Sequence, residues 1–231
     1  MSGEYRIIDL SRELIPDKER FKLSIKTFFA DEYIPEGIKR EKDDWYIMQE
    51  ITTCSHIGTH IESPFHHIKE GKDCSQISLE KVVGEALILD FSYKNPEEPV
   101  DLKEIESKGE LIREGDILLL KEGWSKYYNT DMYKRRPYLT LEAAKYLVDR
   151  GIKCIGVDAS GIENNEDIEQ PVHRLFFENE IPIIEDMQNL ELIRNERVFL
   201  IALPWKVKGL DASPARVIAF EKLRDEEGWN F

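Results

Sequence analysis

From about residue 78 onward, short runs of consecutive apolar residues alternate with stretches of helical periodicity. ALILDF (86–91), the LLL-ending run GDILLL (115–120), CIGV (154–157), IPIIE (181–185) and RVFLIAL (197–203) have the density of strands covered on both faces. Gly115 and Asp116 form the turn into the second of these. Between the runs, Ser78 is placed to cap a helix through LEKVV. Thr140 is placed to cap one through LEAAKYLVDR, which has its apolar face at Leu141, Ala144, Tyr146, Leu147 and Val148 and stops at Gly151. Pro171 suits the first turn of a helix through VHRLFFEN. PARVIAFE (214–221) alternates less cleanly, and the charged PEEPVDLKEIESKGE (96–110) reads as a solvated surface excursion. Strands separated by helices predict an α/β class, and with no repeat or Gly/Ser linker the 231 residues read as a single domain over 1–231. Residues 11–45 stand apart: charged, poorly periodic and long for a connector, they are expected to be irregular and to cover a site or reach onto another subunit.

Composition narrows the function. At 41% hydrophobic and 34% charged residues the chain is too apolar for disorder. No run reaches the roughly 18 apolar residues of a membrane span, and MSGEYRIIDLSREL carries charges where a signal peptide needs an apolar stretch, so the expected location is the cytoplasm. A net charge of -14 repels phosphate backbones and anionic lipid, which argues against nucleic-acid and membrane partners. Cys54, Cys74 and Cys154 are odd in number and contain no CxxC pair, as expected of reduced, buried thiols in a cytosol. A thiolate or redox site at Cys54, two residues before His56, is a weaker alternative.

The histidines carry the chemistry. The chain has five, and four of them fall in SHIGTHIESPFHH (55–67). β-Branched Ile57, Thr59 and Ile61, together with Gly58 and Pro64, favour an extended chain over a helix. In an extended chain His56, Gly58, His60, Glu62 and His66 share one face by their even numbers, with Gly58 leaving open space between two imidazoles. Pro64 is expected to bend the chain and carry His66 back over the same centre. Imidazoles with a carboxylate form a normal shell for a divalent ion such as zinc or manganese. The remaining histidine, His173, lies on the helix after Pro171, and Glu185 at the end of IPIIE is the natural carboxylate to join it as a distal ligand.

HIGTHIESPFHH resembles the HxGTHxDxPxHF signature of the cyclase family of metal-dependent hydrolases, which includes bacterial kynurenine formamidase and isatin hydrolase. GDILLLKEGW, LTLEAAKYLVDRGIKCIGVDASGIE, the stretch from His173 through EDMQNLEL, and LPWKVKGLDASPARVIA resemble that family's later blocks, in order. The resemblance implies a mixed sheet or barrel-like β/β/α core of swivelling type flanked by helices. It implies that His56, His60 and Glu62 bind a first metal, that His173 and Glu185 complete the shell, and that His66 is the catalytic proton donor and acceptor. An acid at 185, where single-metal members have an amide, implies two ions, zinc or manganese. The resemblance also implies a homodimer or larger assembly.

This chain departs from the pattern in three places. Glu62 stands where the family has Asp, one methylene longer, and His67 stands where it has Phe. PDKERFKLSIKTFFADEY (16–33) offers Phe28, Phe29 and Tyr33 but lacks the Trp that lines the kynurenine formamidase pocket. His67 is expected to face away from the centre. The expected function is hydrolysis of a small amide, with an aryl formamide as the leading substrate. The alternatives are a lactam or cyclic imide, another small ester, or a metal-holding domain without turnover.

Overall fold

The structure is a computed structural model and describes residues 5–29 and 45–223. Its strands are β1 (Tyr5–Asp9), β2 (Leu23–Phe29), β3 (Ile47–Thr53), β4 (His60–Glu62), β5 (Val83–Asp90), β6 (Pro99–Val100), β7 (Ile117–Lys121), β8 (Tyr138–Leu139), β9 (Cys154–Val157), β10 (Ile183–Glu185), β11 (Arg197–Pro204) and β12 (Ala212–Lys222). Its helices are α1 (Leu79–Val82), α2 (Leu102–Ser107), α3 (Leu141–Asp149) and α4 (Pro171–Glu178). The main sheet runs β1-β12-β11-β5-β7-β9-β10-β4, and β4 also pairs with β12, so β12 through β4 close into a mixed barrel with β1 outside it. β5, β7, β9 and β10 are parallel, and the strands that complete the ring are antiparallel. This is the α/β, barrel-like fold expected from the sequence.

The apolar runs become barrel strands because both of their faces are covered. Leu118 and Leu120 pack with the helices outside, where Ala143, Ala144, Leu147, Phe176 and Phe177 lie. Ile117 and Leu119 point to the other face, among Ile61, Ile184, Val198 and Val217. The Thr140 hydroxyl accepts from Ala143 N at 3.3 Å at the start of α3. Gly151, at φ 74°, turns the chain after it, a conformation that suits glycine.

Several expectations change. The helix at Ser78 is one turn long and ends at Val82, because the β-branched Val83 already belongs to β5. PARVIAFE lies inside the eleven-residue strand β12. The stretch 96–110 is not a solvated excursion: it holds β6 and α2, and it buries Val100 and Ile105 completely beneath its charged residues. Asp101 and Glu104 form a capping box at the start of α2, with Glu104 N donating to Asp101 at 2.9 Å.

Residues 11–45 are not irregular throughout, since 23–29 form β2, paired antiparallel with β3. All three cysteines are free thiols; Cys74 and Cys154 are buried, but Cys54 is only half-buried. Burial pushes the Cys74 thiol up to about 11 and that of Cys154 up to about 12, leaving both unreactive. Among the described residues no helix is long and apolar enough to cross a membrane.

Candidate metal centre and active site

Three strands at the barrel seam place the site. In the antiparallel pair of β4 and β10, His60 lies directly opposite Glu185, so their side chains share a face. His60 and Glu62 alternate along β4 on either side of the fully buried Ile61. β12 pairs with the other edge of β4, matching Ala212 to Glu62, and so delivers Asp211 to the same centre.

His56 arrives by a different route from the one expected. Residues 55–59 form a bend rather than a strand. Gly58 sits at φ 53°, where a Cβ would lie 2.4 Å from Leu14 Cδ2. This glycine therefore turns the chain instead of spacing two imidazoles, and its carbonyl accepts from His60 Nδ1 at 2.8 Å. The bend is pinned by Thr59, whose hydroxyl donates to the Asp186 carbonyl at 2.7 Å and accepts from Arg12 N at 2.9 Å. A 3-10 turn at Pro64–His66 then carries His66 back until its ring lies 4.4 Å from that of His56.

The side chains converge on Glu62. His56 Nδ1 lies 2.8 Å and His60 Nε2 3.5 Å from Glu62 Oε1, while His173 Nε2 lies 3.3 Å from Glu62 Oε2. His173 Nε2 is also 3.3 Å from Glu185 Oε1, and His60 Nε2 is 3.8 Å from Glu185 Oε2. His66 stands slightly apart: its Nε2 is 3.9 Å from Glu62, and its Nδ1 is 3.0 Å from Asp211 Oδ2. The six residues expected at one centre are thus gathered there, in three overlapping triads: His56–His60–Glu62 and Glu62–His173–Glu185 at the buried centre, and His56–His66–Asp211 at its rim.

Two neighbours were not legible in the sequence. Asp211 bridges His66 Nδ1 and His56 Nε2, the latter at 2.8 Å. Glu163 accepts from His173 Nδ1 and from the backbone N of Val172 at 2.8 Å. Both lie in stretches that resemble family blocks, LPWKVKGLDASP and DASGIE, but no spacing rule ties them to the histidine cluster. His67 does not turn away: its ring stacks on His173 at 5.4 Å and 18° and packs on Phe177. Burial and the neighbouring His173 and His66 hold its pKa below the usual histidine value.

The electrostatics fit a cation. His60 Nδ1 donates to a carbonyl and His173 Nδ1 to a carboxylate, so the Nε2 of each ring, once deprotonated as a metal ligand must be, offers a lone pair toward Glu62 and Glu185. Acceptors facing acceptors in a buried site need protons or a metal ion between them. His60 Nε2 and Glu62 Oε2 are buried and have no hydrogen-bond partner, as ligand atoms would. Burial opposes charge on His56, but Glu62 and Asp211 outweigh it and raise its pKa to about 9. Burial likewise opposes ionisation of Glu62, yet the His173, His56 and His60 rings that face it hold its carboxyl well below the usual range.

The cluster opens into a cavity of about 260 Å³. Its aromatic lining is Phe21, Tyr128 and Tyr133, not Phe28 or Phe29, which lie on β2; Tyr33 falls outside the described residues. Arg20 and Phe21 also line it, so part of the 11–45 segment covers the site.

Comparison with known proteins shows the family. The model of the Cyclase family, described as "Putative cyclase", matches residues 8–164. A kynurenine formamidase of Bacillus cereus is 32% identical over 168 residues, covering 73% of this chain and 77% of that protein. A structure described as a predicted metal-dependent hydrolase from Bacillus stearothermophilus superposes with a TM-score of 0.75 at 26% identity, covering 95% of this chain and all of that one. Isatin hydrolase A from Ralstonia solanacearum shares the fold, with a TM-score of 0.79 at 20% identity over 94% of this chain and 92% of its own. From the family match and the formamidase relatives together, this chain belongs to the cyclase family.

Proposed function

We propose that the protein is a metal-dependent hydrolase of a non-peptide carbon–nitrogen bond, and that its substrate is an aryl formamide, the class named by its 32% identical relatives. His56, His60, Glu62, His173 and Glu185 hold two divalent ions, zinc or manganese, and His66 moves the proton. The observation that carries this reading is the pair of buried atoms without a hydrogen-bond partner, His60 Nε2 and Glu62 Oε2, which face Glu185 and His173 beside an imidazole held just outside the cluster. When bound, divalent ions supply hydroxide at neutral pH and polarise a carbonyl.

The chain's own residues do the rest. Asp211 accepts from His66 Nδ1 and turns Nε2 toward the cluster, where it can take a proton from the attacking water and return it to the leaving nitrogen. An imidazole suits both steps because one ring nitrogen can take a proton and give it back while the other stays hydrogen-bonded. Water adds to the formyl carbon, the C–N bond breaks, and formate and the aryl amine leave. Glu163 fixes the His173 tautomer, as carboxylates behind ligating histidines do. Phe21, Tyr128 and Tyr133 give an aryl group apolar surface to lie on.

The active unit is a homodimer or larger assembly. Ile25 and Ile51, cross-strand partners on the β2–β3 ribbon, are 43% and 53% exposed, which supports a second copy covering them. Free cysteines support a cytosolic setting. A screen of metal-loaded protein against N-formyl aryl amines, open-chain amides and cyclic lactams tests the assignment. Fastest turnover of the formamides is expected. Turnover of cyclic amides alone would move the substrate to lactams, and inactivity on all three would overturn the reading.

A further inference from the structure

Arg136 lines the same cavity as the histidines and is only 7% exposed. Its guanidinium is locked in place: Nε donates to the Gly161 carbonyl at 2.7 Å, Nη1 to Asn165 Oδ1 at 2.5 Å and Nη2 to the Glu163 carbonyl at 2.9 Å. Gly161, at φ 116°, makes the room, since a Cβ there would fall 2.4 Å from Nη2. Every one of these acceptors is neutral, and among the described residues no carboxylate oxygen lies within ion-pair distance of Arg136. A guanidinium is a permanent cation with five N–H donors, so one donor on each terminal nitrogen stays uncommitted. Glu122 does not supply the missing charge. Burial and the adjacent Asp158 push its carboxyl well up despite Arg136, and neither of its oxygens meets a donor.

A buried, unpaired cation is costly unless something it binds completes it. The neighbouring hollow shares Arg20 and Tyr133 and sets Lys18, Arg20 and Lys134 against Glu19 and Asp131, a small excess of cations on a protein of net charge -14. Glu163 joins this end of the cavity to the metal centre, with its backbone carbonyl on Arg136 and its carboxylate on His173.

We propose that Arg136 is a specificity-determining residue that receives a carboxylate of the substrate, so that the site takes amides bearing an anionic group in preference to neutral ones. The inference rests on the amide-hydrolase reading of the same site. Guanidinium and carboxylate match in planar, two-point geometry, and the pairing strengthens where water is excluded.

The test compares 2-formamidobenzoate with its neutral isostere 2-formamidobenzamide on manganese-loaded protein. The wild type is expected to prefer the acid in kcat/KM by about tenfold or more, mostly through KM. Arg136→Gln should carry that ratio toward one. Asn165→Asp should do the same without removing the arginine, because it places a carboxylate against Nη1 on an exposed loop residue. A purely structural role for Arg136 would lower both rates together and leave the ratio unchanged. No preference in the wild type, or a ratio unchanged in Asn165→Asp, would overturn the proposal. Calorimetric binding of the products 2-aminobenzoate and 2-aminobenzamide gives the same ratio without turnover. If neither formamide is hydrolysed, the amide-hydrolase reading fails, while the binding ratio still decides the anion site.

Discussion

His60 and Glu62 are the residues whose placement followed directly from sequence, because strand alternation puts them on one face and β4 is a strand there. His56 reached the same centre for another reason, the turn at Gly58, so the even-number rule gave the right neighbour through the wrong geometry. Asp211 and Glu163 were illegible because they meet the histidines only through pairing of β12 with β4 and through the loop before α4, contacts that no local pattern encodes. The residues nonetheless make separable predictions. His56→Ala and His60→Ala should each abolish tight metal uptake, measured as bound metal after dialysis, since each opens a shell that the other side chains cannot close. His66→Ala should keep the metal and lose turnover by about 10²- to 10⁴-fold, the usual worth of a positioned acid or base. Loss of metal in that variant would make His66 a ligand instead. Glu163→Gln should weaken metal affinity by about 10- to 100-fold in a competition titration, because His173 loses the charged acceptor on Nδ1.

Among the elements, the helices and strands after residue 78 were legible where capping residues and dense apolar runs coincide, as at Thr140 and α3. The stretch 96–110 was misjudged because α2 is short and its buried positions, Val100 and Ile105, are few among many charges. β2 was missed because its outward residues in LSIKTFF blur the alternation. The bend before β4 is the element on which the site depends most. Gly58→Ala would put a side chain at positive φ and against Leu14, costing about 1–2 kcal/mol of stability. It should also displace the carbonyl that holds His60 Nδ1. Thermal unfolding should therefore show a lower Tm, and a metal titration a weaker first site. An unchanged metal affinity would show that His60 is oriented without that carbonyl.

At the scale of the whole molecule, the closed barrel buries acids that a surface would ionise freely. Asp158, at the end of β9, accepts from Glu122 N and Gly123 N at 2.8 and 2.9 Å, yet burial pushes its pKa up from 3.8 to about 6. The folded chain therefore holds this proton more tightly than the unfolded one. Its contribution to stability is complete below the unfolded value of 3.8 and is lost as pH rises through about 6. Denaturant unfolding of wild type and Asp158→Asn should show the wild-type advantage shrinking over that window, by on the order of 3 kcal/mol in all. A difference that is flat with pH would mean that Asp158 ionises normally in the fold. The seam of β10, β4 and β12 is also where the barrel closes, so an ion held by His60, Glu62 and Glu185 would tie the ring of strands together and stabilise the fold. The measurement that bears most directly on the whole account is a titration of metal-free protein with manganese, following bound ion by calorimetry and hydrolysis of an N-formyl aryl amine in the same samples. The account predicts no turnover without metal, two ions at saturation with the second weaker, turnover that rises with occupancy, and a stoichiometry reduced toward one in Glu185→Gln. Turnover in the metal-free protein, or no uptake of either manganese or zinc at saturating concentration, would contradict it.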